Sequence, residues 1–359
     1  MESSEEFVSA EIAVTLGVDT HKDAHVAVAL DGLGRQLGVV SVPTTENGYC
    51  KLIQWAEDLG NIERVGVEGT GSFGAGLTRF LIAKGIEVRE VIRPKRRDQY
   101  RSGKSDPLDA EAAARAVLAG TATSLPKGAD GEVEMIRALR ITRRSALKAR
   151  TQAANHMKAL LVTAPEELRA KLCELSANKL VKRAAHFRLG QCPDDVTAAT
   201  KFALRSVACR YLRLSEEISE FDELLDRLVA EAAPELIAVE GVGTDTAASL
   251  LIATGDNPQR MRSEAAFAHL CGVAPIPASS GKIVRHRLNR RGNRDANRAL
   301  YAIAFGRMRR DQRTRDYVAR RTAEGKSKKE IIRCLKRYIA RELYRVLPSP
   351  RERPPVSVP

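Results

Sequence analysis

Residues 11–36 read EIAVTLGVDTHKDAHVAVALDGLGRQ, and the fold of the N-terminal part of the chain follows from this stretch. Val14, Leu16 and Val18 alternate with other residues up to Asp19, and after a polar break a second alternating run occupies residues 25–30. Alternation on both sides of a short polar segment predicts a β-hairpin. Asp19 then stands at the end of the first strand, where a lone aspartate is also a common turn former.

Further elements follow the hairpin as an alternation of helices and strands. In chain order they are a helix at 45–60, a strand at 64–68 ending in Glu68, a helix at 73–84, a strand at 86–92, a basic loop at 93–105 and a helix to 119. Asp106 suits the N-cap of this last helix and Pro107 suits its first position, where a missing N–H costs nothing. The order β-β-α-β-α-β-α predicts one α/β domain at residues 11–122.

The middle of the chain, residues 123–233, carries helical spacing and no strand pattern. Two interleaved seven-residue series of apolar residues indicate the a/d seam of a coiled-coil arm. These residues are Tyr211, Leu214, Ile218, Phe221, Leu225 and Leu228. The seam predicts either a helical hairpin inside one protomer or an arm that dimerises.

Residues 234–347 predict a third, mainly helical domain. Its start contains a Gly-Val-Gly turn between two helices, which is typical of a helix-hairpin-helix element that offers backbone N–H groups to a phosphate. The turn glycines are Gly241 and Gly243. An irregular loop and an arginine-rich helical region follow, then a last helix at 328–347, and the proline-rich residues 348–359 predict a disordered tail.

The composition and charge of the chain limit the kinds of partner that it could bind. The chain has 359 residues, 43% of them hydrophobic, and a net charge of +14. This charge points to a polyanion, with nucleic acid first. No apolar run approaches the length of about 18–20 residues that spans a bilayer, so we expect no membrane partner. The acidic first residues lack a secretory signal, and the six cysteines form no C-x-x-C; both favour a cytoplasmic protein with reduced, buried thiols.

Four carboxylates of the α/β domain stand where the fold could gather them. Asp19 and Glu68 end strands, and Asp106 and Asp109 lie three apart at a helix start, on one face. Such a cluster would repel itself without a cation, and Mg²⁺, with Mn²⁺ as an alternative, prefers carboxylate ligands. Each acid also has a purely structural explanation, as a cap, a helix-dipole partner or a solvated strand end.

The sequence resembles a known family at these residues. GVDTHKD, VEGTGSFG and the KSDPLDAE helix start resemble the D-E-D-D core of RNase H/RuvC-like nucleases, and more narrowly the DEDD transposases of bacterial insertion sequences, the family numbered one-hundred-and-ten. AVEGVGTDTAASLL, FAHLCGVAPIPASSGK and RGNRDANRALYAIA resemble its C-terminal transposase domain, so the resemblance spans residues 12–345. It implies a RuvC-like first domain with Asp19, Glu68, Asp106 and Asp109 as metal-binding catalytic acids.

The resemblance also implies a nucleophile and partners. Ser280, which precedes Gly281, would attack DNA, although Ser279 stands beside it. The family's members are recombinases guided by a structured RNA that pairs with target and donor DNA. They act as oligomers, here a dimer or tetramer, with acids and serine from different subunits. A bacterial cytoplasmic protein, associated with the nucleoid when active, is then expected.

Cationic and glycine residues would contact these nucleic acids. They are Arg93, Lys95, Arg96, Arg97, Gly241, Gly243, Lys282, Arg285, Arg287, Arg290 and Arg291. Lys282 and the arginines after it would hold the scissile phosphate and its developing charge. His21 and His286 are further acid or base candidates, which the motif itself does not require.

Three other interpretations remain at this stage. In a junction-resolving nuclease, water would attack and Ser280 would be structural. In a non-catalytic nucleic-acid-binding protein, the acid site would be inactive. Finally, Gly17-Val18-Asp19-Thr20 before a hairpin resembles the first phosphate loop of actin-like kinases, but the helical, basic remainder of the chain does not fit the second domain that such kinases need.

Overall fold

The alternating residues of the opening stretch pair as the predicted hairpin in the computed structural model of the chain. The structure describes residues 12–91, 105–128, 131–190, 192–257, 260–279, 286–290 and 292–348. β1 (Ala13–Thr20) and β2 (Ala24–Leu30) run antiparallel, and His21 N donates to the Ala24 carbonyl across the turn. The predicted tail and most of the basic loop lie outside the described residues.

A five-stranded sheet grows from this hairpin. β3 (Gln36–Pro43) pairs antiparallel with β2, while β4 (Asn61–Glu68) and β5 (Glu87–Val91) continue parallel to β1, in the order β3-β2-β1-β4-β5. β3 was not predicted from the sequence, although its valines at positions 39, 40 and 42 favour a strand. β1 therefore lies at the centre of the sheet, between an antiparallel and a parallel neighbour.

Helices cover both faces of the sheet. α1 (Glu46–Glu57) and α2 (Ala75–Ala83) pack on one face, over a core that includes Leu16, Val18, Leu52 and Leu77. α3 (Asp106–Leu118) packs on the other face through Ala110 and Ala114. The predicted N-cap was wrong by one residue: Ser105 is the N-cap in extended backbone, so Asp106 opens the helix and Pro107 is its second residue.

A later segment of the chain, residues 254–262, belongs to the same compact unit as residues up to 131. Arg260 holds it there: its Nε donates to the Leu125 carbonyl at 2.7 Å and its Nη2 to Glu90 Oε2 at 2.6 Å. Asn257 adds a bond from its side-chain amide to the Pro126 carbonyl. The sheet unit is therefore completed by a segment more than a hundred residues away in sequence.

The second unit comprises residues 132–253 and 263–359, and its described residues are mostly helical. In chain order its helices are α4 (Glu132–Val162), α5 (Glu166–Leu172), α6 (Ala177–Ala185), α7 (Val196–Ala232), α8 (Pro234–Ile237), α9 (Thr244–Thr254), α10 (Glu264–Leu270), α11 (Arg294–Arg310), α12 (Gln312–Ala323) and α13 (Lys328–Tyr344). Two short strands, β6 (Ile276–Pro277) and β7 (His286–Arg287), pair antiparallel between α10 and α11. In the described part of the chain, no helix is long and apolar enough to cross a membrane.

The two long helices of this unit, α4 and α7, pack against each other. The predicted seam lies at this contact: Ile218 and Leu225 are buried, and the other four seam residues are half-buried. At one end of the pair, Met157 and Leu204 join α5 and α6 in a shared core. The seam thus packs helix against helix within the chain, and its role in dimerisation stays a prediction.

The remaining predictions for this unit are confirmed in part. Ser263 caps α10, and the predicted last helix is α13, which Ser327 caps with a capping box and which ends three residues earlier than predicted. The helix before the Gly-Val-Gly turn is only the four-residue α8. The prediction of buried thiols was wrong for Cys50, Cys173 and Cys192, which are exposed; local sequence does not reveal which face of a helix or turn is covered.

Candidate active site

The first two acids stand on neighbouring parallel strands. β1 pairs with β4 in a register that places Gly17 opposite Gly66 and Val18 opposite Val67, so Asp19 and Glu68 follow the last pair together. Residues in register on parallel strands share a face, and side chains two apart on a strand return to that face. Asp19 and Glu68 therefore project on the same face as the two glycines. Both acids are buried, with 4% and 8% of their surface exposed.

Gly17 and Gly66 allow helix α3 to pack closely on the sheet. A Cβ on Gly17 would come within 2.1 Å of the Ala110 carbonyl oxygen, and one on Gly66 would come within 2.6 Å of a methyl carbon of Val117. Because these positions lack side chains, α3 lies directly on the backbones of β1 and β4. The first turn of α3, with Asp106 and Asp109, is thereby brought to the strand ends that carry Asp19 and Glu68.

The pKa of Asp19 reflects its burial and the charges of the other three predicted acids. Burial raises the pKa of the Asp19 carboxyl, and the nearby charges of Glu68, Asp109 and Asp106 raise it further, while His21 opposes them. Asp106 and Asp109 themselves are half-buried. The site thus gathers a concentration of negative charge that a cation would relieve.

His21 is a fifth side chain at this site, which the sequence analysis considered only as an acid or base. Its Nε2 lies 3.3 Å from Asp106 Oδ1 and 3.8 Å from Asp19 Oδ2. Ligand atoms of Asp19, His21 and Asp106 all lie within 4.8 Å of one another. Its position two residues after Asp19 was the available signal, but only the approach of α3 gives it a second acid as neighbour.

The residues present fit a divalent cation. Among the described residues no hydrogen-bond donor reaches the Asp19 carboxylate, and His21 at 3.8 Å is beyond hydrogen-bonding distance. A buried carboxylate is costly unless it is paired or coordinates a metal. The hard oxygen atoms of the four acids are the ligand type that Mg²⁺ and Mn²⁺ prefer.

The turn after Glu68 is held from two sides. Thr20 Oγ1 donates to the Glu68 carbonyl at 2.7 Å, and Gly69 adopts a φ of 71°, which favours glycine. Thr70 Oγ1 then donates to Glu90 Oε1 at 3.2 Å, the same carboxylate that Arg260 binds. These bonds fix the backbone on which Glu68 stands.

The described residues on either side of the predicted nucleophile pack closely together. A Cβ on Gly292 would come within 2.2 Å of the Gly272 nitrogen, and the Asn297 side-chain amide donates to the Cys271 carbonyl at 2.7 Å. β6 and β7 pair beside this contact, and Ser279 is exposed just beyond β6. Ser280 lies outside the described residues, as do Lys282 and Arg285.

The predicted nucleic-acid contacts are described only in part. Arg287 on β7 and Arg290 are exposed. Gly241 has a φ of 81° and packs against the Arg307 side chain, while the Gly243 N–H donates to Thr246 Oγ1 at 3.0 Å. The Gly243 amide therefore has a partner inside the protein, and its contact with a phosphate stays a prediction. Outside the described residues lie Arg93, Lys95, Arg96, Arg97 and Arg291.

Comparison with known proteins identifies the family. A model of DEDD transposases of the IS110 type, described as Transposase, matches residues 16–164, which include all four acids. A second model, described as Transposase IS116/IS110/IS902 family, matches residues 233–319. Together these matches cover more than half of the chain, in two separate regions.

Two curated proteins are similar to parts of the chain. An uncharacterized 43.6 kDa protein of insertion element IS110 from Streptomyces coelicolor is 34% identical over 116 residues, covering 32% of this chain and 28% of that protein. An uncharacterized 42 kDa protein of insertion element IS900 from Mycobacterium paratuberculosis is 29% identical over 158 residues, covering 43% and 39%. The chain thus matches less than half the length of either relative. With two family models matched in order and the acids gathered, the chain belongs to the IS110 family of insertion-sequence transposases.

Proposed function

We propose that this protein cuts and rejoins DNA at the ends of an insertion sequence and at its target. The observation that carries the proposal is the convergence of Asp19 and Glu68, in register on parallel strands, with the first turn of α3. This is the arrangement expected of a RuvC-like nuclease core. Membership of a transposase family supports DNA as the substrate.

The four acids would hold divalent cations, Mg²⁺ or Mn²⁺. A bound ion would polarise the scissile phosphate and stabilise the charge that develops on it. Asp19 and Glu68 would provide buried, fixed ligands, because the sheet determines their positions. Asp106 and Asp109, which are half-buried, would provide ligands at the side from which DNA enters.

Ser280 would supply the attacking oxygen. Its hydroxyl oxygen would form a bond to phosphorus, the bond to one sugar oxygen would break, and that oxygen would take up a proton as it leaves. A sugar hydroxyl of the new strand would then reverse the step and release the serine. The covalent link would conserve the phosphodiester energy, so that rejoining needs no external energy source.

The partners that we propose follow the family. A structured guide RNA would pair with element and target DNA, and the chain would act as a dimer or tetramer with acids and serine contributed by different copies. The exposed Arg287 and Arg290 support contact with phosphates near the serine loop. Binding should then weaken steeply with salt, with a log–log slope of roughly 0.7–0.9 per neutralised phosphate.

The test is strand cleavage by the full chain with guide RNA, element-end DNA and Mg²⁺. Asp109→Asn should abolish cleavage and leave nucleic-acid binding intact, whereas Glu111→Gln, on the same helix but paired with Arg115, should cleave normally. Normal cleavage by Asp109→Asn would exclude the four-acid centre. Omission of the RNA should abolish targeting.

A denaturing gel then distinguishes serine from water. Wild type should give a protein-linked DNA species that Ser280→Ala lacks and Ser279→Ala retains. The reverse pattern would move the nucleophile to Ser279. Cleavage without any protein-linked species would support a junction-resolving nuclease that uses water.

A further inference from the structure

Among the described side chains that could hold a metal at the acid site, His21 has no role in the proposed mechanism. It stands in the turn directly after β1, where its backbone N–H bonds the Ala24 carbonyl at 3.2 Å. Its side chain is 48% exposed, yet its Nε2 faces two carboxylates from different elements, Asp106 on α3 and Asp19 on β1. The ring therefore lies at the point where the two elements meet.

The distances between the possible ligand atoms are compatible with one bound ion. Ligands at about 2.0–2.3 Å from one metal ion lie roughly 3–4.5 Å from each other. The ligand atoms of Asp19, His21 and Asp106 lie within 4.8 Å of one another. A small adjustment of side chains would bring one nitrogen and two oxygens onto a single cation.

A purely structural role for His21 explains less. As a counter-ion it could offset one of the four carboxylates, and at 3.8 Å it makes no hydrogen bond to Asp19. Asp19 is 4% exposed and, among the described residues, receives no hydrogen bond, so its carboxylate has only the distant pairing with His21 at 3.8 Å. This buried side chain without a hydrogen bond is an independent indication of a cation between the three side chains.

We propose that His21 is a metal ligand of this centre, so that the ion is held by one imidazole nitrogen together with carboxylate oxygens, and that the centre therefore prefers Mn²⁺ to Mg²⁺. The inference rests on the proposed function, because it assigns the ion of the same site. Imidazole suits transition metals, whereas an all-oxygen site suits Mg²⁺ as well. The nitrogen would thus confer a selectivity that the four acids alone lack.

The experiment measures metal binding rather than cleavage. The full chain, freed of metal, is titrated with MnCl₂ and with MgCl₂ by calorimetry, and the Mn²⁺ complex is examined by pulsed electron paramagnetic resonance for nitrogen coupling. The variants are His21→Phe, Asp19→Asn and, as a control, His156→Phe, which alters an exposed histidine on α4.

We expect nitrogen coupling in wild type and in His156→Phe, and none in His21→Phe. We also expect the Kd for Mn²⁺ to rise about tenfold or more in His21→Phe, since loss of even an outer-shell partner costs 10–100-fold, while the Kd for Mg²⁺ changes less than about threefold. Absence of nitrogen coupling in wild type, which needs no variant to fold, overturns the inference. If Asp19→Asn abolishes metal binding and His21→Phe leaves it unchanged, the role of His21 as a ligand is wrong but the proposed function stands. If metal binding is the same in Asp19→Asn as in wild type, both the role of His21 and the proposed function are wrong.

Discussion

Gly17 lies directly beneath Ala110, so closely that a Cβ at Gly17 would come within 2.1 Å of the Ala110 carbonyl oxygen. The contact joins residues 93 positions apart in the chain. It places α3 on the backbone of β1, two residues before Asp19 and one residue after Asp109. The spacing between the two pairs of acids therefore depends on the absence of a side chain at Gly17, as it does at Gly66.

Gly17→Ala should displace α3 from the sheet and separate the acids. We expect a loss of about 1–3 kcal/mol in the free energy of unfolding and a fall of about 100-fold or more in cleavage. Gly32→Ala is the control, because its Cβ would meet nothing within 4 Å. Thermal unfolding and a cleavage assay measure both effects; equal behaviour of the two variants would refute the role of the contact.

Asp19→Asn should stabilise the metal-free protein at neutral pH. Burial and the neighbouring acids raise the pKa of Asp19 above its ordinary value of 3.8. The folded state then favours the protonated acid, so the contribution of Asp19 to stability is complete below pH 3.8 and is lost as the pH rises through the raised pKa. Asparagine carries no charge and avoids this loss.

Melting curves in chelator, recorded from pH 4 to 8, test this expectation. The difference between Asp19→Asn and wild type should be small at the acid end and largest at neutral pH. With excess Mn²⁺ the order should reverse, since only wild type binds the ion tightly. If Asp19→Asn were less stable than wild type in chelator at pH 7, the charge of Asp19 would not be unfavourable in the metal-free protein, which contradicts this expectation.

His25 should make the stability of the sheet unit sensitive to acid. It is fully buried, stacks on Tyr49 with 5.8 Å between ring centroids, and burial lowers its pKa below the ordinary 6.5. The folded state favours the neutral ring, so its contribution is complete above pH 6.5 and is lost as the pH falls toward the lowered pKa. His25→Phe should reduce the loss of unfolding free energy at acid pH, whereas His156→Phe, at an exposed position, should leave this loss unchanged. Denaturant titrations across this pH range measure the difference.

Arg140 should stabilise the helical unit more than its neighbour Arg144 does. Its side chain is 8% exposed and donates twice to Asp245, at 2.9 and 3.2 Å, while Arg144, largely exposed, donates once to Asp295. Arg140→Met should cost about 1–3 kcal/mol of unfolding free energy, and Arg144→Met about 1 kcal/mol or less. Denaturant titrations that give equal losses would show that burial does not decide the strength of these pairs.

The arm gives a further test. Because Ile218 is buried within the chain against α4, Ile218→Lys should cost about 3–5 kcal/mol and unfold the arm instead of only dissociating an oligomer. Glu220→Lys, exposed on the same helix, is the control. Circular dichroism measures unfolding of the arm, and light scattering measures dissociation of an oligomer. If Ile218→Lys keeps its helicity but forms a smaller particle, the seam lies between subunits.

The sequence alone determined the elements whose signals are local. Alternation of apolar residues predicted β1 and β2, local sequence predicted helices α1 and α13, and the strand ends predicted where Asp19 and Glu68 stand. Such signals depend on residues a few positions apart, and a single chain of amino acids carries them in full.

Other features were decided only by the tertiary structure. The packing of α3 on Gly17 and Gly66, the place of His21 between Asp19 and Asp106, and the return of Arg260 to the sheet unit all join residues far apart in the chain. β3 was missed because its outer residues face solvent, and the exposed cysteines because local spacing does not show which faces a neighbour covers. Periodicity in the sequence shows which residues share a face of a helix or strand. Which element packs against that face depends on shape and charge complementarity between segments that are far apart in the chain. It is this packing that brings the acids near one another.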